Sequence, residues 1–207
     1  MRKELIFLII SDILIVGSFG LFAPILAIFI KEGVSGGSIA AAAIASSIFW
    51  LVKSIVQIPL SIYIDSKKGR LSFLILGTLL IILVPIIYAF SPNVNFIYIA
   101  QGIYGLGAAM ATPTWLSLFS MYLDRKHRGL EWSIWSTSIG IALAFAAFLG
   151  GKLVDPLGFN LEFKSLFFIV SGISFLGILV LFLISRKSLE EVKKVESYLI
   201  PKMLHKR

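Results

Sequence analysis

Long apolar runs broken by short polar segments dominate the chain, and the breaks fall at nearly regular intervals. Six runs read as helices: Leu5–Ile30, Ser38–Ile64, Leu71–Phe90, Val94–Leu123, Leu130–Val154 and Phe163–Ile184. Each holds about 20 residues or more, enough to cross a hydrocarbon layer about 30 Å thick. The breaks KEGVSGG, DSKKGR, SPN, DRKHRG and DPLGFNLE are rich in turn formers or charge. The pattern predicts an all-α polytopic membrane protein with six transmembrane helices. Residues 1–184 form the membrane domain in this reading, and 185–207 a basic tail.

Composition agrees. Hydrophobic residues make up 58% and charged residues 14%, with a mean hydropathy of +0.95. So little charge does not cover a soluble domain of this size. The apolar stretch after MRKE runs well past the usual secretory-signal core of about 7–15 residues, so it reads as a retained first span.

The net charge of +8 in a soluble protein would point to nucleic acid. Here the lysines and arginines cluster in the breaks, and their placement gives orientation instead. Fifteen lie at the N-terminus, in the second and fourth breaks and in the tail; on the other side lie only Lys31, Lys152 and Lys164, and Lys53 sits inside a span. Both termini are therefore expected in the cytoplasm, with the lipid bilayer and not a polyanion as the surrounding partner. The chain has no cysteine, and its two histidines, His127 and His205, have no metal-ligand spacing. No metal or cofactor is expected, and no nucleophile–base pair marks an enzyme.

Span two ends in IYIDSKKG and span five in KLVDPLGF, each with an aspartate near a glycine; span one carries GLFAP and span four GAAMATP. The first three helices run opposite to the last three, so these echoes read as an inverted 3+3 repeat.

Polar residues inside the spans are the candidates for function, because charge in a bilayer costs about 2.5–3.5 kcal/mol on insertion scales. Ser46, Trp50, Lys53 and Gln57 form one stripe on helix two. Two readings stand for Lys53: a cavity cation that binds an anionic solute or a carboxylate, or a structural lysine satisfied by a neighbouring helix. Asp12 is the one acid well inside a span. It lies within reach of Lys53 as an ion-pair partner, titrates as a proton-coupling group, or meets water near the interface. Gln101, Tyr104, Thr112 and Trp115 share a face of helix four, fit for orienting a small polar solute or for interhelical hydrogen bonding. Gly140, Ala144, Ala147 and Gly151 read as a close-packing stripe on helix five. Trp132 and Trp135 read as an interfacial belt.

The stretch SIYIDSKKGR, the helix-four stretch QGIYGLGAA and the helix-five stretch AAFLGG together resemble the N-terminal six-helix half of the major facilitator superfamily. In its signature between helices two and three, Asp65, Gly69 and Arg70 match. In the helix-four signature Gly105, Gly107 and Ala108 match, whereas Gln101 stands for the arginine and Tyr104 for the glutamine. In the helix-five signature Gly150 and Gly151 match, with Ala146 and Ala147 in place of glycine and proline. The resemblance implies a transporter that moves a small solute, with or without a coupling ion, by alternating access. It implies a cytoplasmic gate from Asp65, Lys68, Gly69 and Arg70, with Arg128; Glu131 joins that network or complements the positive N-terminus of helix five. Members usually have twelve helices, so the resemblance also implies a homodimer or a second six-helix half. The alternative is a non-transport scaffold or accessory subunit, or one half of a split transporter.

Overall fold

In the computed structural model, residues 1–65, 70–155 and 162–184 are described, and they form seven α-helices. These are α1 (Lys3–Phe19), α2 (Leu26–Gly33), α3 (Ile39–Asp65), α4 (Arg70–Ala89), α5 (Val94–Tyr122), α6 (Arg128–Val154) and α7 (Phe163–Phe182). Helices α3 to α7 are each long and apolar enough to cross a membrane. The chain is an all-helical, multi-pass membrane protein. The expected tail at 185–207 lies outside the described residues.

The first expected span is not one helix. It divides into the 17-residue α1 and the 8-residue α2. Pro24 has no N–H to give to the Gly20 carbonyl, which removes one rung of the ladder. The backbone tightens in response: the amides of Gly20, Leu21 and Phe22 bond the carbonyls of Gly17, Ser18 and Phe19, three residues back. Ile25 bonds Phe22 in the same way before regular helix resumes at Leu26, with the Phe29 amide bonding the Ile25 carbonyl. Proline alone does not force such a break, since Pro59, Pro85 and Pro113 lie inside unbroken α3, α4 and α5. What distinguishes the turn is its packing: Leu21 presses its backbone against Gly150 of α6, where an added Cβ would stand 1.7 Å from the Leu21 carbonyl oxygen.

The helices form two rows. In front stand α3, α5, α1 and α6 in that order, and behind them α4 backs α5 and α7 backs α1. Glycines let the rows touch. Gly77 of α4 meets the backbone of Gly107 and Ala111 on α5, and Gly105 meets Phe49 of α3. Gly177 of α7 meets Ile15 and the Ser11 carbonyl on α1. Hydroxyls add the polar links available in lipid: Ser18 and Ser174 share a hydrogen bond of 2.7 Å, and Ser171 donates to the Ile82 carbonyl at 3.3 Å.

At the end opposite the N-terminus, residues after α2 tie to those before α5. Ser35 donates to the Pro92 carbonyl and accepts from the Val94 amide. Gly36 supplies the positive φ of 75° this turn needs. Ser38 accepts from the Ala41 amide and Asn93 from the Asn95 amide, capping α3 and α5.

The expected packing stripe on α6 is rotated from its true position. Gly140 and Gly151 have open space where a Cβ would go, and Ala144 is exposed. The face against α1 is instead Ala142, Leu143, Ala146 and Gly150. Gly150→Ala is therefore expected to cost about 1–3 kcal/mol by overpacking, whereas Gly151→Ala changes stability by no more than about 0.5 kcal/mol. Thermal unfolding of the two variants in one detergent checks this, and equal midpoints would remove the proposed contact.

Candidate functional site

The front row carries nearly all the polar side chains singled out in the sequence. Depth along each helix follows from a rise of about 1.5 Å per residue, counted from the end at which α1 begins. Asp12 on α1 lies roughly 14 Å in, Gln57 and Lys53 on α3 roughly 12 and 18 Å, and Thr112 on α5 roughly 15 Å. All four are half-buried, so none of them is fully enclosed in the core. Trp50, one turn deeper on α3, is 58% exposed on that helix.

The expected ion pair between Asp12 and Lys53 does not form. The Asp12 Oδ2 instead accepts from the Trp135 indole N–H at 2.8 Å. The Lys53 ammonium lies over the rings of Trp50 and Phe49, at 5.2 and 5.8 Å from their centroids. The physical reason is lateral. Helices α1 and α3 stand on either side of α5, so equal depth does not bring their side chains together.

Tyr104 joins the two sides. Its ring packs on Phe49 of α3 at 4.4 Å and on Phe19 of α1 at 5.3 Å. Gln101 is buried deeper, with only 4% of its surface exposed. Its Oε1, the Tyr88 hydroxyl and the Trp115 Nε1 are buried without a hydrogen-bond partner among the described residues. Trp115 thus leaves the Gln101–Tyr104 region and belongs to a second aromatic group.

In that group Trp115 stacks on Phe119 at 4.7 Å and meets Trp135 at 5.0 Å. Trp132 packs on Phe119 at 4.7 Å and on Trp135 at 5.3 Å. Trp132 and Trp135 are therefore no simple interfacial belt: they cross the front of α1 to reach α5. The sequence reading did not bring Phe119, Trp132 and Trp135 together. The signal was present as an aromatic pair four apart on α5 and another three apart on α6, flanking one loop.

At the shallow end, Asp65 closes α3, and its side chain lies outside the described residues along with Lys68 and Gly69. Arg70 opens α4 and donates to the Ser117 hydroxyl at 2.7 Å, with Met121 Sδ at 3.4 Å. A pocket of about 90 Å³ between α3, α4 and α5 is lined by Ser61, Ile64, Arg70, Pro113, Thr114 and Ser117. It is small beside the roughly 300 Å³ of a typical small-molecule site.

Across the front, Arg128 begins α6 in the open, while Glu131 is 97% hidden and accepts from the Asp124 amide at 2.8 Å. That bond anchors the loop between α5 and α6 to the first turn of α6. In the loop, the His127 ring and then the Lys126 amide hydrogen-bond the Asp124 carboxylate and hold it below its usual range. Asp124 and Glu131 are thereby tied to the loop and to the helix end that follows it.

The family model of the Major Facilitator Superfamily matches residues 8–206. A methylenomycin A resistance protein of Bacillus subtilis is 30% identical over 95 residues, covering 45% of this chain and 20% of the relative. The multidrug resistance protein Stp of Mycobacterium tuberculosis is 30% identical over 141 residues, covering 65% of this chain and 25% of its own. Among solved structures, an auto-inhibited peptide transporter of the POT family superposes with a TM-score of 0.70 at 17% identity. That match covers 88% of this chain and 37% of the other. The chain thus corresponds to a minor fraction of each relative's length, and it belongs to the Major Facilitator Superfamily, whose members are membrane transport proteins and not enzymes.

Proposed function

We propose that this chain is a six-crossing half of a secondary transporter that moves a small solute by alternating access. The observation that carries the reading is the front row: polar and aromatic side chains on α1, α3 and α5 border an open face at mid-depth instead of packing inward. Helices α1 and α2 with their turn make the sixth crossing. Both termini then lie in the cytoplasm, the membrane is the plasma membrane, and residues 1–184 are the transport domain with 185–207 a cytoplasmic tail.

The helix pairings support an inverted 3+3 repeat. Exchanging α1–α2 with α5, α3 with α6 and α4 with α7 turns the α3–α5 contact into α6–α1. It turns α4–α5 into α7–α1 and returns α4–α7 to itself. A face built this way is open on one side. A second six-helix half would close it, and a second copy of the chain is the simplest source.

In the proposed site Asp12, Lys53, Gln57, Trp50 and Thr112 border the solute and ion path, with Tyr104 half-buried and Gln101 and Trp115 buried behind them. Asp65, Lys68, Gly69, Arg70, Arg128 and Glu131 hold the cytoplasmic gate. The split-transporter reading is favoured by one fact, the 37% coverage of the POT structure. In that reading the closing half is a different chain.

Facing two front rows across a two-fold axis sets α3 of one copy against α6 of the other. With no native cysteine in the chain, a copy carrying Ile58→Cys and a second carrying Ile134→Cys should crosslink in native membranes. A Leu76→Cys control on the lipid side of α4 should not. Crosslinking equal to that control rejects the homodimer and leaves the split form.

A thermal-stability screen of small solutes supplies the substrate for uptake into proteoliposomes. Lys53→Ala is expected to slow uptake by about tenfold, equivalent to about 1.4 kcal/mol of barrier, with folded protein retained. Unchanged uptake removes Lys53 from the path. If no solute moves under any imposed gradient, the scaffold alternative takes its place.

A further inference from the structure

Lys53 is a cation without a counter-ion. Among the described residues its side chain has no ion-pair or hydrogen-bond partner, and the rings of Trp50 and Phe49 stand 5.2 and 5.8 Å from its ammonium. Both distances approach the outer limit of about 6 Å for cation–π attraction, so the rings hold it weakly. A charge at that depth is costly in lipid and is kept where it faces other protein or a polar path.

The rest of α3 shows which way Lys53 faces. At about 3.6 residues per turn, Leu51, Ile55 and Ile62 lie on the side of α3 opposite Lys53. They are 61 to 69% exposed, which marks that side as the lipid face. Phe49 and Val52 make the contact with Gly105 of α5. Lys53, with Trp50 and Gln57 three and four residues away, occupies the side between the two, next to α5.

Helix α5 adds a third polar group there. Phe49 lies against Gly105 and Ser61 beside Thr114, so the two helices run in the same direction with a steady offset. That offset brings Thr112 level with Gln57. Both side chains are half-buried, and neither has a hydrogen-bond partner among the described residues. The ammonium is donor only, and the amide and the hydroxyl each bring a further donor. Asp12, the acid at similar depth, is held by Trp135 on the other side of α5.

Such a wall is complementary to a group that accepts hydrogen bonds and carries negative charge. Beside it Trp50, 58% exposed, offers a ring face to an apolar body.

We infer that Lys53, Gln57 and Thr112 bind the carboxylate of an organic anion whose apolar body rests on Trp50. The inference names a solute class for the proposed path and rests on that reading for its use, whereas binding is measured apart from transport.

Equilibrium dialysis of radiolabelled cinnamate against the purified full chain in nonionic detergent tests it, with cinnamamide as the neutral match. Saturable binding of cinnamate is expected, with cinnamamide weaker by about tenfold. Lys53→Gln should weaken cinnamate binding by about tenfold, while Lys53→Arg, which keeps the charge, stays within about threefold. Trp50→Leu should weaken it by about threefold. If Lys53→Gln does not fold, the amide comparison and Trp50→Leu decide.

Equal binding of cinnamamide, no saturable binding of cinnamate, or full affinity in Lys53→Gln or in Trp50→Leu overturns the inference. Chloride that displaces cinnamate as well as unlabelled cinnamate does also overturns it, since it would mark a site for a small inorganic anion. Cinnamate binding that depends on Lys53, without uptake of any solute, sinks the transporter reading and spares this one. Uptake of a cationic or neutral solute, with no cinnamate binding, does the reverse.

Discussion

Every backbone polar group in the hydrocarbon layer needs a partner from the protein itself, and the interruption between α1 and α2 is where that demand is hardest to meet. Outside a helix, an unsatisfied amide or carbonyl in lipid costs several kcal/mol. The turn at residues 20–25 meets the demand with tight bonds three residues back, and it is covered by α6 at Gly150. A side chain at 150 would push α6 away and uncover that turn. The position of α6, and with it Trp132 and Trp135, therefore follows from one missing Cβ.

That contact also explains why the polar residues collect in front. Close approach through glycine and alanine pulls α1 toward α6 and α7, and α5 toward α3 and α4. The faces so used hold no room for long polar side chains. Lys53, Gln57, Thr112 and Asp12 are left on the side where no third row covers them. Association in lipid gains little from the hydrophobic effect, so packing and a few hydroxyl bonds such as Ser18 with Ser174 supply it.

Much of this was legible in the sequence, and the misses share a cause. Run length and breaks located all five long helices within a few residues, because apolar length is a strong signal in a bilayer. The family signatures marked Gly105 and Gly150, which do sit at close backbone contacts. Rotation about a helix axis was not legible. With apolar residues on every side, α6 has no periodic stripe to say which face turns inward, so Gly140 and Gly151 were placed at a contact they do not make. Lateral order failed in the same way: depth made Asp12 and Lys53 neighbours, and only the position of α5 between them shows otherwise.

The weight of Asp12 then turns on magnitudes. An indole hydrogen bond to a charged group contributes about 1.5–3 kcal/mol, close to the insertion cost of about 2.5–3.5 kcal/mol for an acid at mid-membrane. Trp135 can thus hold the carboxylate in place without overcompensating it. Had Lys53 paired with Asp12, both charges would have been neutralised and the front would carry no net field there. Instead Lys53 rests over Trp50 and Phe49 while Asp12 rests beside Trp135, two opposite charges each backed by rings on separate walls of one face. The two charges thus stay apart, which an ion pair at its centre would have prevented.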